Sequence, residues 1–405
     1  VNQAAPSPIA ISKAVAEVMR QDRGRLLAIL AAGFRDISLA EECLQEAAIS
    51  ALSHWGRVGL PDSPRGWLLQ VARRKALDRL RSGARDRARG EALSYLQGDE
   101  AGEEEDVTAI PDKRLSLIFT CCHPALEAKT RVALTLRTVC GLSMAEVAAS
   151  FLDNETTMGQ RLTRAKSKIK DAGIPFVVPG PEDWPERLNA VLKVIYLIFT
   201  QGYRIGPLAG HDLCQEALYL ARLTRDLRPG DPEIAGCLAL LALTAARAPA
   251  RRDDAGRMVP LAAQDRTRWD GALMAEGRGL LAGLPDGPFA LQAAIAEAHL
   301  VPAGSDWMRI AGLYGRLSQI DGNPVIRLNQ AVALAEALGP EAGLTILDQL
   351  AELDGYQPFH AARADMLRRL DRHDAARLDY RRAIDLAETP EDADFLQDRL
   401  DNLGK

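Results

Sequence analysis

The chain has 405 residues, too many for one hydrophobic core, and at 47% apolar and 26% charged it is neither disordered nor fibrous in composition. Ala and Leu are abundant and alternating β-branched runs are nearly absent, so the fold class reads as all-α. No apolar run reads as a membrane span and no basic-then-apolar leader opens the sequence, which predicts a cytoplasmic protein without membrane contact. The formal net charge of −5 conceals a division. Residues 1–97 carry 15 Lys and Arg against 10 Asp and Glu, residues 107–170 carry 10 against 5, and residues 181–405 carry 25 against 33. Two basic parts therefore precede an acidic half. Six cysteines (Cys43, Cys121, Cys122, Cys140, Cys214, Cys237) show no CxxC spacing, which predicts buried thiols in a reducing compartment.

In chain order, the first basic module spans about residues 8–97. Arg25–Phe34 is apolar enough for a core helix, and Ser38 reads as the cap of LAEECLQEAAISAL. In that helix Leu39, Cys43, Ala47 and Ser50 form the expected inward row, leaving Glu41, Glu42, Gln45 and Glu46 outside. Such an acidic face is either a protein-docking surface or an ordinary solvated one. The loop His54–Ser63 (HWGRVGLPDS) holds Trp55, Arg57 and Asp62. An aromatic beside a guanidinium there suits an unstacked base, unless Trp55 simply plugs the core. The helix after Pro64, RGWLLQVARRKALDRLRS, expects Trp67, Leu68, Val71 and Ala72 inside. Arg73, Arg74, Lys75, Arg79 and Arg81 make it strongly cationic, and Arg85, Arg87 and Arg89 extend the run. That density pulls on phosphates regardless of sequence.

Residues 98–110 read as an acidic linker, with six acids in the nine residues Gly98–Asp106. Residues 111–176 form the second basic module. Within it, Ser143 and Glu146 sit at capping-box spacing, followed by Val147, Ala148 and Phe151 as an inward set. Asp153–Glu155 breaks the pattern, and a helix restarts at Thr156 or Thr157. Met158, Leu162, Ala165 and Ile169 then recur as one apolar stripe. Beside it run Thr157, Arg161, Arg164 and Lys168, and Thr156, Gln160, Thr163 and Ser167 make a third, uncharged row. A helix with one face in a core and two faces of Thr, Gln and Arg suits a DNA major groove. Its bland counterpart is an amphipathic helix with a solvated basic face.

After the proline-rich break Pro175–Pro185, residues 181–405 read as amphipathic helices between Gly/Pro turns. Ala342 and Ile346 are matched 34 residues later by Ala376 and Tyr380, with Ala383 beyond and Gln330/Ala364 upstream. That spacing fits tetratricopeptide (TPR)-like helix pairs. The segment Ala248–Asp270 gathers Arg, Asp, Gln and Trp269, which either bind a ligand or lock two layers. Cys121-Cys122-His123 cannot close a metal site alone, and no HExxH, P-loop or GxSxG string occurs. The expectation is no enzyme, no cofactor and no metal.

Taken together, LAEECLQEAAISAL, PRGWLLQVARRKALDRLR and GLSMAEVAASF…TTMGQRLTRAKSKIK resemble, in order, the polymerase-docking helix, the −10-facing helix and the −35-reading helix-turn-helix of extracytoplasmic-function (ECF, group 4) sigma factors. The resemblance covers roughly residues 8–175. It implies a region 2 domain (8–97), a region 4 domain (111–176) and, as partners, promoter DNA and core RNA polymerase through its β′ clamp and β flap. By the matching positions, Glu41, Glu42, Gln45 and Glu46 would dock on polymerase. Trp55, Arg57, Asp62, Arg73, Arg74, Lys75 and Arg81 would meet the −10 strand. Thr156, Thr157, Gln160, Arg161, Arg164 and Lys168 would read the −35 duplex. Arg74-Lys75 stands where the family commonly has Asn-Arg, and Gly159 replaces a frequent Lys, which leaves the promoter sequence open. The segment PDKRLSLIFTCCHPALEAKTRVALTLRTVCGLS and the long extension resemble one subgroup, in which a fused helical-repeat domain is expected to regulate in place of an anti-sigma partner and to bind a protein of its own. The competing readings are a stand-alone helix-turn-helix regulator with a protein-sensing repeat domain, and a scaffold with incidental basic modules.

Overall fold

The computed structural model describes residues 8–86, 113–151, 153–205, 212–253, 259–301, 304–387 and 390–403. Among these residues the regular elements are all helical. The acidic linker and the cations at Arg87 and Arg89 lie outside the described residues, as does the side chain of Arg85. The chain divides into two compact units, Val1–Leu227 and Arg228–Lys405.

The first unit opens with four helices: α1 (Pro8–Gln21), α2 (Arg23–Phe34), α3 (Ile37–Val58) and α4 (Pro64–Asp86). Asp36, not Ser38, caps α3, because its carboxylate accepts from the Leu39 N–H at 3.1 Å. The inward row of α3 is accordingly Ile37, Ala40, Cys43, Leu44, Ala47, Ala51 and Trp55, while Leu39 and Ser50 are only half-buried. The helix continues through His54, Trp55 and Arg57, so the loop before α4 shrinks to residues 59–63. Gly59 ends it at φ +99°, a conformation that side-chain-bearing residues rarely adopt.

Region from residue 113 adds α5 (Arg114–Cys121), α6 (Ala128–Thr135), a π-helical turn (Leu136–Cys140), α7 (Met144–Ser150) and α8 (Glu155–Asp171). In α2 the six consecutive residues Leu26–Ala31 are all buried. A helix apolar on every side belongs between two layers. Here α3 and α4 cover one side and α5 with the π-helical turn the other. Two further helices complete this unit, α9 (Trp184–Ile205) and α10 (Leu213–Leu227), with α9 packed on α5 and α6. The expected boundary at residue 181 therefore separates segments that share one core. The Phe119 and Trp184 rings meet at a tilt with centroids 5.2 Å apart, and Arg187 donates to the Phe119 carbonyl at 2.9 Å.

The second unit is a succession of helices in which neighbours along the chain pack on one another. Its helices are α11 (Pro232–Ala245), α12 (Gly271–Leu281), α13 (Pro288–Ala298), α14 (Trp307–Ile320), α15 (Pro324–Leu338), α16 (Pro340–Leu347), α17 (Gln357–Arg369), α18 (His373–Asp385) and α19 (Pro390–Asp401). Residues 232–250 are long and apolar enough to cross a membrane, but 67% of that stretch is buried inside the fold. Ala364, Ala376, Tyr380 and Ala383 are core residues, whereas Ala342 and Ile346 are half-buried. The tight approach in the earlier pair falls at Gly343, where a Cβ would lie 2.7 Å from the Ala331 carbonyl oxygen. In the polar segment 248–270, Arg266 lies 5.0 Å over the Trp269 ring and donates to the Val301 carbonyl, while Asp270 caps α12. These contacts tie layers together.

Candidate nucleic-acid and polymerase interfaces

The helix-turn-helix is built by its caps. Gly141 reverses the chain at φ +83°, and Ser143 with Glu146 closes a reciprocal capping box on α7. Asn154 then caps α8 by accepting from the Thr157 N–H at 2.8 Å, so the helix starts at Glu155, slightly ahead of expectation. Phe151 is only half-buried and lies under the Lys129 ammonium at 5.5 Å; Ser150 takes the inward place instead.

On α8, Met158, Leu162, Ala165 and Ile169 are buried as the stripe requires. Thr156, Thr157, Gln160, Arg164 and Lys168 are exposed along the adjoining faces. Those faces border an open groove shared with Leu126, Glu127 and Thr130. Arg161 is half-buried and donates to Asp153 at 2.8 Å, and Lys168 donates to the Ala125 carbonyl at 2.6 Å. The Arg161 bond, with Lys129 nearby at 3.4 Å, holds the Asp153 carboxyl below the usual carboxylate range. Arg161 thus fixes the turn before it meets any phosphate.

In the first module, the acidic and basic helices answer each other. Arg79 binds Glu42 at 2.6 Å and also Glu46, and Lys75 lies 3.6 Å from Glu46. Glu42 and Gln45 are exposed, as are Ile49 at 60% and Leu52 at 45%, which extend that face with two apolar residues that the sequence pattern did not single out. Glu41 departs from expectation. Its side chain is 16% exposed and faces Arg23 and Lys166, so it is not on the outer surface.

Trp55 must be withdrawn from the −10 set. It is fully buried and meets Trp67 edge-on at 5.4 Å, because it falls on the inward row of α3 rather than in a loop. The aromatic nearer solvent is Trp67, half-buried and stacked on His54 at 5.4 Å. Arg57, Asp62, Arg74 and Arg81 are exposed, and Arg73 and Lys75 are half-buried. His54 near the end of α3 and Trp67 in the first turn of α4 thus stack across the two ends of the short 59–63 loop, with cations of α4 following.

Burial pushes Cys122 up to about 11, and Cys121 and Cys140 well above their ordinary value. Among the described residues no His/Cys/Asp/Glu group has metal-holding geometry.

Known proteins place names on these modules. The family described as sigma-70 region 2 matches residues 18–86, and sigma-70 region 4 matches residues 116–169. A family of unknown function (DUF6596) matches residues 187–283, from within α9 to just past α12. The chain is similar to an uncharacterized protein, R00370, of Rhizobium meliloti (strain 1021), at 41% identity over 385 residues, or 91% of each chain. It is also similar to the probable ECF RNA polymerase sigma factor SigI of Mycobacterium tuberculosis, at 31% identity over 144 residues, covering 34% of this chain and 48% of that protein. No solved structure matches. With an acidic-faced α3, a cationic α4 and a capped helix-turn-helix each falling within its matched region, the chain belongs to the sigma-70 family, as an ECF sigma factor with a helical C-terminal extension.

Proposed function

We propose that this sigma factor divides promoter recognition between its two basic modules while core polymerase supplies the active centre. The exposed Thr/Gln/Arg rows of α8, beside a fully buried apolar stripe, are the observation that carries this reading. Thr156, Thr157 and Gln160 stand near the helix N-terminus, where base edges are reached, and Arg164 and Lys168 follow as phosphate contacts. Arg161 would join them only by giving up Asp153.

The first module takes the −10 side. Arg57 precedes the loop and Asp62 lies within it, Arg73, Arg74, Lys75 and Arg81 track the backbone, and Trp67 with His54 offers stacking surface for an unpaired base. Opening the duplex needs no hydrolysis by the sigma factor, since flipped bases exchange stacking in DNA for stacking on protein. Polymerase docks on α3 through Glu42, Gln45, Glu46 and, once released, Glu41. Ile49 and Leu52 give that face an apolar centre of the kind docking surfaces use. The β′ clamp is the proposed partner of α3, and the β flap that of the second module.

The extension acts in cis. Its first two helices brace the second module: Gln201 donates to the Ser150 carbonyl at the end of α7, and Arg114 donates to the Tyr219 hydroxyl at 2.9 Å. Support of this kind favours a positive role over simple masking, and leaves the helix pairs of the second unit to bind a regulatory protein. Run-off transcription with purified core polymerase tests the whole reading. Specific initiation should require this chain and fall at least about tenfold with Arg164→Ala and Gln160→Ala together. Promoter binding by the chain alone, indifferent to polymerase, would instead support a stand-alone regulator.

A further inference from the structure

We propose that the polar segment between α11 and α12 holds a binding site for a small oxyanion carrying a hydroxyl group, gripped by Arg247, Gln264 and Trp269. The inference lies beyond the promoter reading and gives the second unit a small-molecule input of its own.

Buried polar groups in folded proteins are almost always paired. Among the described residues ten buried side-chain nitrogen and oxygen atoms have no hydrogen-bond partner, and three of them fall within residues 247–269: Arg247 Nε, Gln264 Oε1 and Trp269 Nε1. Gln264 and Trp269 are only 7% and 8% exposed, which keeps both groups from bulk water. Contacts close these residues into a ring. The Asp270 N–H donates to the Ala246 carbonyl at 2.9 Å, which brings the backbone at Trp269 next to that at Arg247. Arg266 lies over the Trp269 ring and donates to the Val301 carbonyl, and His299, two residues earlier, feels the charge of Arg247. Gln264 is fastened through its Nε2–H to the Val259 carbonyl at 3.0 Å. The Val259 N–H in turn donates at 2.8 Å to the carbonyl of Arg251, four residues past Arg247.

The chemistry of these three atoms defines the ligand. A guanidinium N–H and an indole N–H only donate, and half-buried Arg247 has no ion pair among the described residues. The acids nearest Trp269 in sequence are committed elsewhere: Asp265 to Thr267, and Asp270 to the Ala272 and Leu273 N–H groups that start α12. A covered cation without a counter-charge is costly, and an oxyanion bound to it removes that cost. Since the Gln264 amide nitrogen already donates to Val259, its free atom is the carbonyl oxygen, which only accepts. The ligand therefore offers acceptor oxygens to Arg247 and Trp269 and an O–H to Gln264. Burial, and after it the Arg247 charge, push His299 down to about 4, so that ring is uncharged at neutral pH and selectivity falls to the three hydrogen bonds. Hydrogen phosphate and small hydroxycarboxylates share the required pattern. Sulfate and plain dicarboxylates lack the hydroxyl.

The test is a calorimetric titration of the full chain, without polymerase or DNA, using inorganic phosphate against sulfate and malate against succinate. The hydroxyl-bearing member of one pair should bind at least about tenfold tighter than its partner, because an anion without the O–H leaves Gln264 unpaired. The pair that shows the preference identifies a phosphoryl or a carboxyl ligand. Trp269→Phe keeps a ring under Arg266 and removes one donor, so it should weaken binding about tenfold. Arg247→Met removes the cation and should abolish binding, while Gln264→Leu should erase the preference for the hydroxyl. Arg316→Met, which breaks an exposed pair with Asp286 elsewhere in the second unit, should change nothing. If Arg247→Met does not fold, the other two variants carry the test. No binding of phosphate or malate at millimolar concentration overturns the site. So does binding that ignores Trp269→Phe, that Arg316→Met weakens equally, or that shows no preference within either pair. A chain that binds the anion yet fails in run-off transcription would defeat the promoter reading and leave this site standing.

Discussion

The two cationic helices, α4 and α8, carry similar charge and are answered differently. On α4, Lys75 and Arg79 are neutralised within their own module by Glu42 and Glu46. On α8, Thr157, Gln160, Arg164 and Lys168 line an open groove, while Lys166 and Lys170 are answered from the other module by Glu41 and Asp36. A count of positive charges therefore does not say what a helix binds. Where its carboxylate partners come from does. On α4 they come from the same module, whereas Glu41 and Asp36, which answer Lys166 and Lys170 of α8, come from the other.

The largest expected effect sharpens that contrast by removing the brace behind α8. A chain ending after residue 181 loses α9 and α10 and uncovers the surface around Phe119, whereas one ending after Leu227 retains the whole first unit. Thermal melting and run-off assays should find the shorter form unfolded or inactive and the longer one folded. Equal behaviour of the two would remove the brace from the account. Next in size is Trp55→Ala, expected to cost about 3–5 kcal/mol of stability because it empties a buried aromatic site. Trp67→Ala should cost less in a denaturant melt yet weaken binding of a single-stranded −10 oligonucleotide, by about 1–3 kcal/mol for one lost stack. The reverse ranking would restore Trp55 to the DNA face. Smaller again, Arg74→Ala should lower the salt dependence of that oligonucleotide's binding by about one counterion without altering base preference, while Gln160→Ala should relax base preference at the −35 duplex.

What the sequence made legible was local. The capping box at Ser143 and Glu146, and the Met158–Ile169 stripe, follow from spacing alone, and both occur where expected. Trp55 misleads when α3 is read as ending near Leu52, because the helix runs on to Val58. Read on to the Gly59 stop, Ala40, Cys43, Ala47, Ala51 and Trp55 form one helical row, so its burial was available to the same periodicity argument. Asp36 and Ser38 are both reasonable caps, and only the hydrogen bond distinguishes them. The contact between α3 and α8 was not legible at all. Lys166 and Glu41 are separated by 125 positions, and nothing in either segment marks one as the other's partner. The same holds for α9, whose apolar face says that it packs but not on what.

The smallest effect belongs to the second unit, where His299 is half-buried and accepts or donates at Ser305 over 2.8 Å. Burial, and secondarily Arg247, pushes it down to about 4 from an ordinary 6.5. The unfolded chain thus binds the proton more readily between those values, and stability falls as pH drops through that window. Discounted for partial solvent screening, about 1 kcal/mol should be lost between pH 7 and 5, and His299→Asn should flatten the slope. A melting curve for the second unit that ignores pH over that range would contradict the burial argument.

The central claim, that two separate modules recognise two separate promoter elements on behalf of polymerase, is tested most directly by run-off transcription from one responsive promoter with spacer variants. With core polymerase and the natural chain, specific initiation should appear, and inserting five base pairs between the −35 and −10 elements should abolish it by turning the two sites to opposite faces of the duplex. Initiation that tolerates the insertion, or that needs neither element, would contradict the account.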